Sequence, residues 1–145
     1  MGNLTIGCAL AAWMLAQAIK FTRHLVQHRT LDFGFFVSTG GMPSAHSAMV
    51  TALATSIGLR EGLGSPLFAV TLAFAVVVMF DAQSVRRAAG QQARLLNQLV
   101  QELFKEHHLS KQKLAEFLGH TRTEVFAGLA LGLATALGVH ALAAS

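Results

Sequence analysis

The chain has 145 residues, of which 53% are hydrophobic and only 12% are charged, and its mean hydropathy is +0.52. Because soluble domains carry about 25% charged residues, this composition excludes an ordinary soluble protein and predicts one all-α integral membrane domain, residues 1–145. The net charge of +4 comes without an arginine-rich tract interleaved with aromatics, which argues against nucleic acid, and one cysteine excludes an internal disulfide.

Four apolar segments alternate with polar connections: Leu4–Ile19, Ala45–Leu59, Leu67–Phe80 and Val125–Ala143. Each is close to or below the about 20 residues that span a bilayer, which predicts about four short transmembrane helices whose polar ends add to the span. Ser65 followed by Pro66 is typical of an N-cap and first helical position, so the third helix is predicted to start there. Thr121 and Glu124 form a capping-box pattern that starts the last helix.

A polar stretch, residues 91–118, separates the third and fourth apolar segments. Apolar residues recur at helical spacing over 95–104, which predicts an amphipathic helical insert. This helix either extends the third helix out of the membrane or lies along the membrane surface. Its apolar face is expected to pack against another helix or to form the seam of a homodimer. A short helix from Ser110 to Gly119 is predicted to follow.

Charge placement predicts the orientation in the membrane. If all four segments cross, the connections after the first and third segments share one side, and the short "REGLGS" link lies on the other with both termini. Of the 11 Lys and Arg residues, only Arg60 lies on that second side. Because positive charge is concentrated in cytoplasmic connections, the first side is expected to face the cytoplasm, in a bacterial inner (plasma) membrane.

The polar residues of the four segments are predicted to meet at this cytoplasmic face. They come from the end of the first helix, the turn "GGMPSAHS" before the second, the end of the third and the start of the last. The candidates are Lys20, Gly41, Ser44, Ala45, His46, Asp81, Arg86, Arg87, His120 and Glu124, with Arg29 nearby. Clustering of residues so distant in sequence favours a functional site, although helix ends collect polar residues in any membrane protein.

These residue types suit phosphoryl transfer through a phosphohistidine. A glycine-rich turn that enters a helix offers backbone N–H groups and a positive dipole end to a phosphate. Lys and Arg neutralise the phosphate oxygens, so no metal and no cofactor is expected. Glu124 lies four residues after His120, within reach of its imidazole on the same helical face. His120 is the candidate nucleophile, and His46 is the candidate general acid for the leaving group.

Three motifs resemble those of the type-2 phosphatidic acid phosphatase and vanadium haloperoxidase superfamily. "MPSAHS" resembles its Pro-Ser-Gly-His motif, and "GHTRTEVFAG" resembles its closing His-x-x-x-Asp-Val-x-x-Gly motif with Glu124 in place of Asp. "SVRRAAG" resembles the Ser-Arg-x-x-x-Gly piece that precedes the nucleophilic histidine. The chain therefore looks like a divergent branch of that superfamily, over roughly Lys20 to Gly128.

The resemblance implies a phosphohistidine mechanism with assigned residues. It makes His120 the nucleophile, Glu124 its orienting carboxylate and His46 the acid. It also assigns phosphate contacts to Lys20, Ser44, Ala45 and Arg86, with Arg87 as the adjacent alternative. Three features depart from the family pattern: Gln27 where an arginine follows the first motif's lysine, Ala45 where the second motif has glycine, and 28 residues between Gly90 and Gly119.

The leading hypothesis is a metal-independent membrane phosphatase acting on the phosphate or pyrophosphate of a lipid. The alternative is a non-catalytic lipid-phosphate-binding or scaffold protein that retains the pocket, and vanadium-dependent haloperoxidation comes third. Each residue also has an ordinary explanation. The turn before His46 is also a capped helix start, Glu124 also completes a capping box, and Arg86 and Arg87 also flank a membrane segment. His140, in the last apolar run, is expected not to be catalytic.

Overall fold

The computed structural model describes residues 3–28, 41–103 and 120–145, and the side chains of residues 28, 86, 87 and 101–103 are not described. The described residues form five helices and no strand: α1 (Leu4–His28), α2 (Ala45–Glu61), α3 (Pro66–Gln83), α4 (Val85–Leu103) and α5 (Arg122–Ala144). This confirms the predicted all-α bundle. The insert predicted over 91–118 lies in α4 as far as Leu103, and the helix predicted from Ser110 to Gly119 lies outside the described residues.

The helix starts follow from local capping chemistry. Ser65 caps α3 by accepting a 3.1 Å hydrogen bond from the Phe68 amide, with Pro66 at the first helical position. The side chain of Thr121 caps α5, and the carboxylate of Glu124 returns the bond to the Thr121 amide, which completes a capping box. Both predicted starts are confirmed. Side-chain caps supply acceptors to amides that have no partner within their own helix.

Within the described part of the chain, three helical stretches are long and apolar enough to cross a membrane: Leu4–Gln27, Pro66–Val100 and Arg122–Ala144. Large apolar side chains point outward from them, among them Ile6, Val77 and Phe126, which are more than half exposed. The chain is therefore an integral membrane protein. The remaining predicted span, α2, has 17 residues and packs against α1, α3 and α5 at the centre of the bundle. Its length of about 25 Å falls short of the others.

Small residues at four-residue spacing line the buried seam between α1, α2 and α5. The seam consists of Cys8, Ala12 and Ala16 of α1, Ala48 and Ala52 of α2, and Gly128, Gly132 and Ala136 of α5. Four-residue spacing keeps these positions on one face of each helix. Lipid chains are as apolar as leucine, so membrane helices associate through such close packing and not through a hydrophobic driving force.

The closest approach is between α2 and α5. A Cβ atom added at Gly128 would overlap the backbone carbonyl of Ser44, and one added at Gly132 would overlap the carbonyl of Ala48. Only glycine allows the two backbones to lie this close. The spacing of Gly128 and Gly132 is the Gly-x-x-x-Gly pattern of tightly packed membrane helices.

A polar network joins the same three helices at the end of the bundle opposite the predicted site. The buried hydroxyl of Ser56 lies 2.8 Å from Nε2 of His140 and donates to the Thr5 hydroxyl at 3.2 Å. The guanidinium of Arg60 also donates to Thr5, at 3.5 Å. His140 thus has a structural partner, and the expectation that it is not catalytic stays a prediction. This network ties the far ends of α1, α2 and α5 together.

Gly132→Ala is expected to destabilise the fold, because the new methyl group must push α5 away from the Ala48 carbonyl. Overpacking of this kind costs about 1–3 kcal/mol. Gly138→Ala is the matched control, since nothing lies within 4 Å of a Cβ at that position of the same helix. The measurement is reversible unfolding in detergent. Equal stability of the two variants would contradict the close approach of α2 and α5.

The effects of Ser56→Ala and His140→Phe on the free energy of unfolding are expected to be non-additive. Hydrogen bonds between membrane helices contribute about 0.6 kcal/mol on average and up to about 1.7 kcal/mol. A double-mutant cycle on unfolding free energies should return a coupling energy in that range, because either substitution alone removes the same bond. A coupling energy of zero would show that the Ser56–His140 contact does not stabilise the bundle.

Candidate active site

The candidate site lies where the start of α2, the end of α3 and the start of α5 meet. Two backbone hydrogen bonds hold the three segments together. The His120 amide donates to the Ala82 carbonyl of α3 at 2.8 Å, and the Ser44 amide donates to the Glu124 carbonyl of α5 at 3.0 Å. Segments that are far apart in sequence are thus fixed by main-chain contacts, which do not depend on side-chain rotamers.

His120 is held by Glu124. Its Nδ1 lies 3.1 Å from Oε2 of Glu124, and the same oxygen accepts the Thr121 amide at 2.9 Å. An ionised carboxylate can only accept, so it fixes the imidazole tautomer with the proton on Nδ1. The ring is 3% exposed. The capping box therefore has a second role, because the carboxylate that caps α5 also orients the histidine.

His46 faces His120 from the first turn of α2. The two ring centroids are 6.5 Å apart and the ring planes are inclined by 52°. His46 is half-buried, whereas His120 is almost fully buried. The two imidazoles therefore lie next to each other at the junction of α2 and α5, with His46 on the more exposed side.

Ser44 is the N-cap of α2 and is fully buried. Its Oγ accepts the Ser47 amide at 3.3 Å and the Ser47 hydroxyl at 3.0 Å. Ala45, the first residue of the helix, is also buried. Because Oγ of Ser44 accepts both of these bonds from Ser47, its own hydroxyl hydrogen can still donate to another group. The start of α2 also directs the positive end of the helix dipole towards the site.

Lys20 continues the Cys8–Ala12–Ala16 stripe of α1 by one further turn and is 4% exposed. Its positive charge interacts with the negative charge of Glu124 on α5. Gly41 lies against it, since a Cβ at Gly41 would be 3.9 Å from Cδ of Lys20. Gly41 has φ +90°, a conformation that favours glycine. At Gly41 the turn before α2 thus brings backbone, and no side chain, against the lysine.

The other predicted residues divide into two groups. Asp81 is half-buried on the last turn of α3, next to the Ala82 carbonyl that binds His120. Arg86 and Arg87 are the second and third residues of α4, which begins directly after Ser84, the C-cap of α3, and their side chains lie outside the described residues. Arg29 also lies outside the described residues.

Sequence analysis missed three contributors to this site. The Ala82 carbonyl is a backbone group, which no side-chain pattern marks. The Ser47 hydroxyl donates to Oγ of Ser44, the N-cap. The three-residue spacing of the two serines in the sequence could have predicted this contact. Gly128 permits α5 to reach the Ser44 carbonyl, and the Gly-x-x-x-Gly spacing was its signal.

The arrangement combines an oriented histidine, a second histidine, a cation and a helix start. This set can supply a nucleophile, a proton donor and charge neutralisation to an anionic group. Among residues 3–28, 41–103 and 120–145, no group of three His, Cys, Asp or Glu side chains is placed to hold a metal ion.

Comparisons with known proteins agree with the motif resemblance. A family model described as the divergent PAP2 family matches residues 1–135. The uncharacterized membrane protein YuiD of Bacillus subtilis (strain 168) is 46% identical over 142 residues, with 90% of each chain covered. No solved structure matches this chain.

Proposed function

Because the chain belongs to the divergent PAP2 family, we propose that it is a membrane phosphatase that removes phosphate from a lipid phosphate or pyrophosphate. The observation that carries this proposal is the 3.1 Å contact between Nδ1 of His120 and Glu124, with the His46 ring facing His120 at 6.5 Å. A phosphohistidine reaction needs an oriented histidine as nucleophile and a second group that transfers protons, and a neighbouring histidine can be that group.

In the first step, Nε2 of His120 attacks phosphorus while the bond from phosphorus to the lipid oxygen breaks. The Nδ1 proton stays on the ring, where Glu124 stabilises the positive charge that develops on the imidazole. His46 in its protonated form donates a proton to the leaving oxygen. The products are phosphohistidine and a lipid alcohol, or a lipid monophosphate if the substrate is a pyrophosphate.

In the second step, water attacks the phosphohistidine. His46, now neutral, accepts the proton from that water as general base, and the bond from phosphorus to Nε2 breaks. Inorganic phosphate leaves, and His120 and His46 return to their starting states. One histidine therefore serves as acid and then base, while the other carries the phosphoryl group.

Positive groups around the two histidines support binding of the phosphate. Lys20 is buried and its positive charge interacts with the negative charge of Glu124, and the start of α2 adds its dipole. Arg86 and Arg87 are proposed as further phosphate ligands because they lie in the first turn of α4, three and four residues after the end of α3. The electrostatic attraction between such preorganised positive groups and a phosphate is stronger where water is excluded.

A lipid is the substrate class that this placement favours. The candidate residues lie near the ends of α1, α3 and α5, and the ends of membrane-spanning helices are expected at the level of the lipid headgroups. The excess of Lys and Arg on this side favours a cytoplasmic orientation, since only Arg60 of the 11 basic residues lies on the opposite side.

Lipid-phosphate binding without turnover is the second candidate. It is favoured by the 3% exposure of His120, which leaves little surface for a substrate, and by Ala45 at a position where the family has glycine. A methyl group at the helix start limits how closely a phosphate approaches the backbone. Turnover measurements separate the two candidates.

His120→Ala is expected to abolish phosphate release from lipid phosphates, because it removes the attacking atom. His46→Ala should slow release from a lipid alcohol about 10²–10⁴-fold but have a much smaller effect with p-nitrophenyl phosphate, whose leaving group needs no proton. His140→Phe, at the other end of the bundle, is the histidine control and should retain the wild-type rate per folded molecule. Wild-type rates in His120→Ala would exclude this mechanism.

Glu124→Gln removes the negative charge of the side chain but keeps its role in capping α5. The amide oxygen still accepts the Thr121 amide, so the helix start and stability should be nearly unchanged. Phosphate release should fall about 10²–10⁴-fold, because the imidazolium formed during attack loses its counter-charge. Glu124→Ala should lose both activity and about 1 kcal/mol of stability. Full activity in Glu124→Gln would mean that the carboxylate serves only as a cap.

A further inference from the structure

Four large apolar side chains project from one side of α4 and stay exposed. They are Leu95, Leu96, Leu99 and Val100, with exposed fractions between 41% and 60%. At about 100° per residue they occupy a sector of about 140° around the helix, which we call the apolar side of α4. Gln92 is the one polar residue in this sector. In contrast, α3 and α5 are apolar on all sides, as expected of helices surrounded by lipid.

The remaining surface of α4 is divided between a packed flank and a polar side. The flank is buried and consists of Gly90, Ala93 and Asn97. The polar side is exposed, lies about 140° away from the centre of the apolar side, and consists of Gln91, Arg94 and Gln98. Within the described residues, the backbone of α4 approaches that of α3 and of no other helix. The apolar side is thus left uncovered, although another side of the same helix is packed.

α4 starts where the membrane span of α3 ends. α3 has 18 residues and is about 27 Å long, close to the about 30 Å of a hydrocarbon core. One straight helix over Pro66–Val100 would reach about 52 Å, which exceeds the about 40–45 Å of a whole bilayer. Ser84, between the two helices, has φ −109° and ψ −66°, and its hydroxyl donates to the Phe80 carbonyl. Such serine bonds bend helices, so α4 begins at headgroup level with a change of direction.

The charge of α4 is complementary to anionic lipid headgroups. The helix contains Arg86, Arg87 and Arg94, and its one acidic residue, Glu102, lies near its end. Each basic residue close to an anionic membrane surface strengthens binding about fivefold. One-sided apolar residues, low overall hydrophobicity and basic residues away from the apolar side are typical of a helix that lies in the membrane interface.

A second copy of α4 fits this surface less well. A coiled-coil seam uses two positions in seven, whereas the apolar side of α4 fills four of the six positions from Leu95 to Val100. A second copy would also bring the same positive charges close to the first, and their repulsion opposes association. Lipid covers a broad apolar sector and supplies the opposite charge.

We propose that α4 lies along the membrane surface on the side of the candidate site, with its apolar side inserted among the upper acyl chains of anionic lipids. α4 therefore does not extend α3 out of the membrane, which was the other arrangement that the sequence allowed. The placement does not depend on phosphatase activity, because only the span of α3 and the amphipathic surface of α4 support it. In this position the first turn of α4, with Arg86 and Arg87, is held at headgroup level.

The first test measures the depth of α4 in vesicles that contain phosphatidylglycerol. An environment-sensitive fluorophore is attached to Leu96→Cys or to the matched control Gln98→Cys, each in a Cys8→Ala background. Lipids brominated near the top of the acyl chain should quench the label at 96 several-fold more than the label at 98, because an interfacial helix buries its apolar face about 5–10 Å deep. Equal quenching at the two positions, whether strong or absent, would overturn the proposal. Cross-linking of two Leu96→Cys copies without quenching would overturn it in favour of a homodimer.

The second test measures the preference for anionic lipid at the same position. Quenching of the label at 96 by brominated phosphatidylglycerol is compared with quenching by brominated phosphatidylcholine at equal mole fraction. The ratio should exceed one, and Arg94→Gln should lower it by up to about fivefold. Arg60→Gln, at the opposite end of the bundle, is the matched control and should leave the ratio unchanged. Equal quenching by the two lipids, or equal ratios in the two variants, would reject anionic lipid as the partner.

Discussion

The contact between α2 and α5 fixes the geometry on which the rest of the structure depends. Gly128 and Gly132 let the two backbones meet at the carbonyls of Ser44 and Ala48. At the end of this contact, the Ser44 amide binds the Glu124 carbonyl, and His46 follows in the first turn of α2. The distance between the two histidines is therefore set by helix packing. A larger residue at either glycine would move the two halves of the site apart.

The rows of small residues that form the seam between α1, α2 and α5 have polar residues at their ends. On α5, Gly128, Gly132 and Ala136 lie between Glu124 and His140, at a constant spacing of four residues. On α2, Ala48 and Ala52 lie between Ser44 and Ser56. Small residues bring the helices close in the apolar middle, so the polar ends meet and satisfy each other where water is scarce. One end forms a network tied by Ser56 and His140, and the other forms the candidate site.

Sequence reasoning predicted the helices and the end of the bundle where the site lies. The caps at Ser65 and Thr121 were predictable because capping is local chemistry between neighbouring residues. The contact of His120 with Glu124 was predictable for the same reason, since four residues make one helical turn. The contact of His120 with the Ala82 carbonyl and the Ser56–His140 contact arise from how whole helices pair. Helix pairing depends on tertiary packing, which a linear pattern indicates only through spacings such as Gly128-x-x-x-Gly132.

Trapping of the phosphorylated intermediate tests the central claim most directly. The protein would be mixed with a lipid monophosphate labelled in its phosphate, quenched at alkaline pH, where phosphohistidine survives, and mapped by mass spectrometry. A phosphatase built on the His46–His120 pair should carry a phosphoryl group on His120, and a His120→Ala variant should carry none on any histidine. Release of phosphate with no label on any histidine, or a label on a different residue, would contradict the account.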